Sequence, residues 1–230
     1  MTVFFITGID TNIGKTFATG MAARYLRRQG KKVITQKLTQ TGQSNSISED
    51  ILEHRRLMEA ELLPEDLPQS FSDSALTCPY MFAYPASPHL AARLEGQIIE
   101  LEKIAYATET LRKHYDIILQ EGSGGFLVPL TPHFSTADYI AQRRYPVVLV
   151  TSGRLGSINH TLLTIEAIQR RNLSLACLVF NQYPPEEETI SHDSLELFCR
   201  ICPNVVVLSG IDSKRIPDAD FSCLLEKSWD

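Results

Sequence analysis

Apolar positions along this chain follow two rhythms. Short, mostly apolar runs occupy 3–6, 32–35, 117–119, 147–150, 175–180 and 205–208, the pattern of strands buried on both faces of a sheet. Between the first two, residues 16–29 place Phe17, Met21 and Tyr25 four apart and stop at Gly30, which predicts a helix with a glycine after its last turn. Ile158, Leu162, Ile165 and Ile168 predict another amphipathic helix between the fourth and fifth runs. A long insertion after Lys37 carries helical pieces at 51–58, 87–95 and 101–112, the second bracketed by Ser87-Pro88 and Gly96. Pro184-Pro185-Glu186-Glu187-Glu188 reads as a turn and an acidic helix start, followed by the helical spacing of Leu195, Leu197 and Phe198. Strands alternating with helices predict the α/β class, a mostly parallel sheet flanked by helices.

In an open sheet of this kind ligands sit beyond the carboxyl ends of the strands. Gly8, Lys37, Glu121, Gly153, Asn181 and Ser209 stand there. The first run passes into Thr7-Gly8-Ile9-Asp10-Thr11-Asn12-Ile13-Gly14-Lys15-Thr16 and then into the first helical pattern. A glycine-bearing turn between buried strand and helix aims backbone N–H groups and the positive end of the helix dipole at one point, where phosphate binds. Lys15 adds a charge for the β- and γ-phosphates and Thr16 a hydroxyl for Mg²⁺. Gly8 lies six positions before Gly14, so the loop is a variant of G-x-x-x-x-G-K-[ST]. The expectation is one domain, residues 1–230, with a P-loop NTPase-like fold.

Three further positions fit phosphoryl chemistry. Glu121 ends an apolar strand and precedes Gly122-Ser123-Gly124-Gly125; an acid there helps hold Mg²⁺ directly or through water, the plain alternative being a sheet-edge carboxylate followed by a flexible turn. Lys37 ends the second strand facing the loop, with Thr39 and Thr41 following. Asp50, in Ser48-Glu49-Asp50-Ile51, reads either as a helix-start acid or as a second carboxylate near the metal.

Composition narrows the function classes. With 230 residues, 43% hydrophobic, the chain can bury a substantial core. A net charge of −5 and a pI near 5.7 argue against a nucleic-acid face, and the basic pairs are scattered. No stretch has the length of a membrane span and the start lacks a secretory signal pattern, so a cytoplasmic protein is expected. Five cysteines is an odd count, unsuited to a disulfide framework; Cys199-Arg200-Ile201-Cys202 follows a helix rather than starting one.

The loop at 8–16, Lys37, Pro79-Tyr80-Met81-Phe82-Ala83-Tyr84-Pro85-Ala86-Ser87-Pro88-His89, Glu121-Gly122-Ser123-Gly124-Gly125, Leu155-Gly156-Ser157-Ile158-Asn159-His160 and Asn181 together resemble the dethiobiotin synthetases. The resemblance runs in order from residue 1 to about Asn181. It implies an ATP- and Mg²⁺-dependent cyclo-ligase of biotin synthesis that joins CO₂ to 7,8-diaminopelargonic acid, closing the ureido ring through a carbamate and a carbamoyl phosphate. Lys15, Lys37 and Thr11 would be catalytic, neutralising charge as the carbamate attacks the γ-phosphate. Asn12, Ile13, Gly14, Lys15, Thr16, Phe17, Glu121, Gly122, Gly124 and Asn181 would bind the nucleotide, Asn181 reading the base. Thr16, Asp50 and Glu121 would hold Mg²⁺, and Thr41, with Lys37, the carbamate. Gly156, Ser157, Ile158 and Asn159 would receive the substrate's distal carboxylate across a homodimer interface, at a helix N-terminus. The chain departs from the family's commoner residues at Asn12 (glutamate), Lys37-Leu38-Thr39 (lysine-proline-valine), Arg154 (lysine) and Leu208-Ser209-Gly210-Ile211, which lacks a glycine-x-isoleucine-proline turn.

Two alternatives share the loop. Dimeric ATPase switches of the ParA and MinD kind carry a signature lysine five positions before the main one, where this chain has Asp10. Cobyrinate-amidase-like ligases usually add a glutaminase domain, for which this chain is short.

Overall fold

The computed structural model describes residues 1–68, 74–182, 187–208 and 218–225. Expectations that fall on 184–186 and on Ser209, Gly210 and Ile211 lie outside the described residues. In chain order the strands are β1 (Thr2–Gly8), β2 (Val33–Lys37), β3 (Gln40–Thr41), β4 (Met81–Phe82), β5 (Ile117–Gly125), β6 (Pro129–Thr131), β7 (Phe134–Ser135), β8 (Val147–Ser152), β9 (Leu175–Asn181) and β10 (Val205–Leu208). The helices are α1 (Lys15–Arg28), α2 (Glu49–Leu57), α3 (Pro88–Leu94), α4 (Leu101–Arg112), α5 (Thr136–Arg143), α6 (Ser157–Gln169) and α7 (Glu188–Ile201).

The six predicted apolar runs form one parallel sheet of order β10-β9-β8-β1-β5-β2. Alternation along each strand divides the core. Val3, Phe5, Ile118 and Leu149 face one layer with Ala91, Ile104, Tyr139, Ile168 and Phe198 from α3 to α7. Phe4, Ile6, Leu119 and Val150 face the other with Ala18, Met21, Leu26 and Leu57 from α1 and α2. β1 lies between β5 and β8, so its carboxyl end opens where the chain order reverses, the position an α/β sheet offers to a ligand.

The structure corrects several local expectations. Gly122-Ser123-Gly124-Gly125 is not a turn but the continuation of β5, with Gly125 paired to Gly8 after a register shift. β2 ends at Lys37, as expected, and Gln36 within it is sealed by polar partners: Gln120 Nε2 and the Thr108 hydroxyl donate to its Oε1 at 2.7 and 2.8 Å. α5, unpredicted, starts at a capping box between Ser135 and Asp138. α1 buries Ala18, Met21, Ala22 and Leu26, leaving Phe17 and Tyr25 half-buried at its margin. α6 turns Ser157, Thr161 and Ile168 inward, the Thr161 hydroxyl 2.7 Å from that of Thr151, while Leu162 and Leu163 are exposed. The insertion is tied to β2 by a buried fork in which Arg55 meets Asp66 at 2.7 and 2.8 Å and the Thr35 hydroxyl at 2.8 Å.

Candidate active site

The phosphate-binding loop is built by close packing around Gly14. This residue caps α1 with φ of +95°, a left-handed conformation that suits glycine, and a Cβ on it would stand 2.3 Å from Asn181 Nδ2. That amide instead donates to the Ile13 carbonyl at 3.1 Å, so the end of β9 braces the loop. No side chain caps α1 and its first turn carries no acid. Its N-terminal N–H groups therefore point, with the dipole, into the cavity, an arrangement that fits a phosphate. Asn12 also holds a left-handed φ of +57°, which asparagine tolerates better than most side chains.

Lys15 folds back so that Nζ donates to the Asp10 carbonyl at 2.8 Å. Burial, and then the neighbouring charge of Lys37, push its pKa down to about 8. Lys37 arrives from β2, where register pairs it with Glu121 of β5. Its ammonium lies 2.5 Å from Asp50 Oδ2 and 2.7 Å from Glu121 Oε1 and donates to the Gly122 carbonyl at 3.2 Å. The Thr16 hydroxyl stands 3.0 Å from Asp50 Oδ1 and 3.1 Å from Glu121 Oε1. Desolvation by itself would raise the Glu121 carboxyl and lower the Lys37 ammonium. Their mutual attraction, with Asp50 and His54, outweighs it, holding Glu121 well below the usual carboxylate range and Lys37 above that of lysine.

Thr16, Asp50 and Glu121 thus converge as an all-oxygen donor set of the hard kind that Mg²⁺ takes, with coordination left for water and phosphate oxygens. Among the described residues no three His, Cys, Asp or Glu side chains form a closed metal cage. Asp50 lies in the first turn of α2, whose cap Ser48 accepts from the Ile51 amide, and its carboxylate also touches Lys37.

A cavity of about 460 Å³ is lined by Thr11, Asn12, Gly14, Lys15, Thr16, Phe17, Lys37, Thr41, Asp50, Glu121 and Gly124. A second, of about 420 Å³, shares Thr11, Thr41, Ser123 and Gly124 and is walled by Pro85-Ala86-Ser87-Pro88. A third, of about 470 Å³, is more apolar, with Ile9, Phe126, Leu127, Val128 and Leu163, and also reaches Thr11. The charged chemistry belongs to the first. The expected nucleotide residues Ile13 and Gly122 are not among those lining it. Ile13 is buried in the core, and Gly122 lies behind the cavity, where a Cβ would meet the Phe5 ring at 2.9 Å.

Gly156, Ser157, Ile158 and Asn159 line none of these three cavities. Gly156 caps α6 with φ of +92° and no side-chain cap, Ser157 is buried with its hydroxyl 3.1 Å from that of Ser152, Ile158 is half-buried and Asn159 exposed. Arg154, just before them, reaches Asp10 of the phosphate loop at 2.5 Å and lowers its pKa.

Sequence reasoning missed three contacts. His54 Nε2 lies 2.7 Å from Glu121 Oε2; its four-residue spacing from Asp50 was the available signal. The Ser123 hydroxyl donates to the Thr39 carbonyl, fastening β5 to the segment after β2. Asp10 and Arg154 stand 144 positions apart, and no local pattern joins them.

Residues 2–211 match the family described as "AAA domain". ATP-dependent dethiobiotin synthetase BioD 2 of Pasteurella multocida is 50% identical over 192 residues, covering 84% of this chain and 87% of its own. ATP-dependent dethiobiotin synthetase BioD of Chlorobaculum tepidum is 48% identical over 195 residues, covering 85% and 79%. Among solved structures, the MinC:MinD cell division protein complex of Aquifex aeolicus superposes with a TM-score of 0.54 at 16% identity, over 93% of this chain and 83% of that one. A ParA family ATPase of Chlorobium tepidum gives 0.53 at 14%, over 90% and 85%. At such identities the structural likeness speaks for the fold alone, a parallel sheet of the P-loop NTPase kind. The sequence likeness, extending over most of both chains, shows that this chain belongs to the dethiobiotin synthetase family.

Proposed function

We propose that this ATP-dependent ligase of biotin biosynthesis joins CO₂ to 7,8-diaminopelargonic acid and closes the ureido ring of dethiobiotin, acting with Mg²⁺ and as a homodimer. The observation that carries the reading is the pairing of Lys15 and Lys37 in one cavity, Lys15 from the start of α1 and Lys37 from the end of β2. A carbamate attacking a phosphate brings two anions together, and fixed ammonium groups in a site sheltered from water lower that barrier. Lys37 is oriented by Asp50 and Glu121, and Lys15 by the Asp10 carbonyl. Mg²⁺, held by Thr16, Asp50 and Glu121, would supply further neutralisation at the phosphates. Thr11 and Thr41 stand where the phosphate cavity meets the one walled by Pro85 and Pro88, a position suited to the carbamate end of the substrate. Because the second amine is tethered to the same short chain, positioning supplies much of the ring closure.

The dimer reading rests on α6. Its uncapped N-terminus lacks acids in the first turn, and around it Leu155 is 83% and Leu163 56% exposed, apolar surface that a second subunit would cover. The ATPase-switch alternative is not favoured, since Asp10, ion-paired to Arg154, occupies the place of the signature lysine. Purified protein with MgATP, bicarbonate and diaminopelargonate should yield dethiobiotin by mass spectrometry. ATP turnover that ignores the diamine, with no ring product, would overturn the assignment.

A further inference from the structure

We infer that His54 is a positioning residue that holds the Glu121 carboxylate in the orientation from which it meets a divalent cation. The inference rests on the reading of Glu121 as a metal-facing acid given above.

The two oxygens of Glu121 have separate partners. Oε1 faces the Lys37 ammonium at 2.7 Å and the Thr16 hydroxyl at 3.1 Å, on the side of the phosphate cavity. Oε2 points away and meets His54 Nε2 at 2.7 Å. An ionised carboxylate only accepts, so the ring donates through Nε2. The carboxylate torsion of a glutamate is broad and roughly two-fold, so distance from the backbone does not fix it. Without His54, the buried Oε2 would be left unpaired, and rotation toward the three donors of the Lys37 ammonium would draw Oε1 away from Thr16.

Packing alone does not account for the ring. His54 is fully buried, yet among the described residues its Nδ1 has no hydrogen-bond partner. A buried polar nitrogen without a partner is a desolvation cost that an apolar side chain of similar size would not carry. The bond to Glu121 is what the imidazole provides in return. Its place on α2 fits the same purpose. Asp50 and His54 are one helical turn apart, so a single helix face sends one side chain to each acid-facing position around Lys37. Partners of this kind behind a metal ligand commonly change metal affinity about 10- to 100-fold when removed.

Side-chain geometry gives a discriminating pair of variants. The amide nitrogen of glutamine lies as many bonds from Cα as the ring Nε2, whereas that of asparagine corresponds to Nδ1 and falls short of Glu121. The probe is Mn²⁺, titrated into the ADP-saturated protein and read from the electron paramagnetic resonance of the free ion. His54→Asn should weaken Mn²⁺ binding by about tenfold or more, and His54→Gln should restore it close to the original value. A merely structural histidine would lower thermal stability in both variants and leave Mn²⁺ affinity unchanged. Glu121→Gln separates the two readings. If it weakens Mn²⁺ binding while a folded His54→Asn does not, His54 has no positioning role and the metal assignment stands. If Glu121→Gln leaves Mn²⁺ binding intact, the metal assignment falls and this inference with it. Should His54→Asn fail to fold, the unmodified protein labelled with ¹⁵N-histidine decides. The His54 ring should carry its proton on Nε2, and that resonance should move when Mg²⁺ is added to the ADP complex; a proton on Nδ1, or no response to Mg²⁺, would overturn the proposal.

Discussion

Lys37→Met removes one charge from the middle of the site while keeping most of the apolar stem. The Lys37 side chain is 5% exposed and that of Glu121 1%, so the acid left behind has no recourse to solvent. At the observed 2.7 Å and an effective dielectric of about 20, the gross attraction is roughly 6 kcal/mol. Desolvation of the ammonium, regained on its removal, offsets part of this, and breaking a buried pair in such a way costs about 3–5 kcal/mol. That is a large share of the roughly 5–15 kcal/mol by which domains are stable. The cost should depend on pH in a defined sense. In the unaltered protein Glu121 is depressed below its unfolded value of 4.5, so its stabilisation is present above that value and is lost as pH falls toward the depressed one. In the variant the upward pull of desolvation, the largest single influence on Glu121, loses its main opponent with His54 left against it, and the folded value should move upward, past the unfolded one. The penalty is then full at high pH and shrinks as pH falls through the raised value. Urea unfolding at about pH 8 and about pH 5 measures this difference directly. Turnover should fall at least about a hundredfold, as when one electrostatic donor is lost from a dry site. An equal stability loss at both pH values, or near-normal turnover in a folded variant, would refute the reasoning.

Lys15, with its pKa near 8, should give a kcat/KM for ATP that falls as pH rises above about 8. Because the folded value lies below the unfolded 10.5, Lys15→Met should also stabilise the nucleotide-free protein at neutral pH, read by thermal melting; a flat rate profile or an unchanged melt would contradict the burial argument. Gly14→Ala forces a Cβ to within 2.3 Å of Asn181 at a positive φ, and the backbone strain alone should cost about 1–2 kcal/mol with loss of ADP binding. Adding Asn181→Ala should recover the steric part but not the strain; full recovery by calorimetry would show that φ at this position is unimportant. Asn159→Ala should raise KM for diaminopelargonate and leave that for ATP nearly unchanged. Mixed with a Lys15 variant, it should regain activity as subunits exchange, and no recovery despite demonstrated exchange would exclude a shared site.

The elements of the phosphate site were legible because their information is local. The 3–6 run, the glycine turn and the helical spacing after Thr16 are contiguous, and each follows from the backbone preferences of a few neighbouring residues. Lys37 and Glu121 could be singled out because strand ends in a parallel sheet share one edge, so two separate runs predict a common location before their pairing is known. The glycines after Glu121 misled for a related reason. Glycine is read as a turn where flanking residues decide, but here it continues β5 because Gly125 finds a partner in Gly8, on a strand more than a hundred residues away in sequence.

The sequence by itself therefore determined the alternation of strands and helices, the loop, and the residue types at the strand ends. Only the tertiary structure decided which groups touch: that Asn181 spends its amide on the Ile13 carbonyl, that Asp10 pairs with Arg154, and that His54 addresses the far oxygen of Glu121. It also decided that α6 buries Ser157 and Thr161 and leaves Leu162 exposed, while Ile158, Ile165 and Ile168 of the expected stripe pack against the core. Backbone preferences act over one turn or one pleat. Hydrogen bonds and ion pairs act over about 3 Å between atoms whose separation along the chain carries no energetic penalty once folding has closed the loop between them.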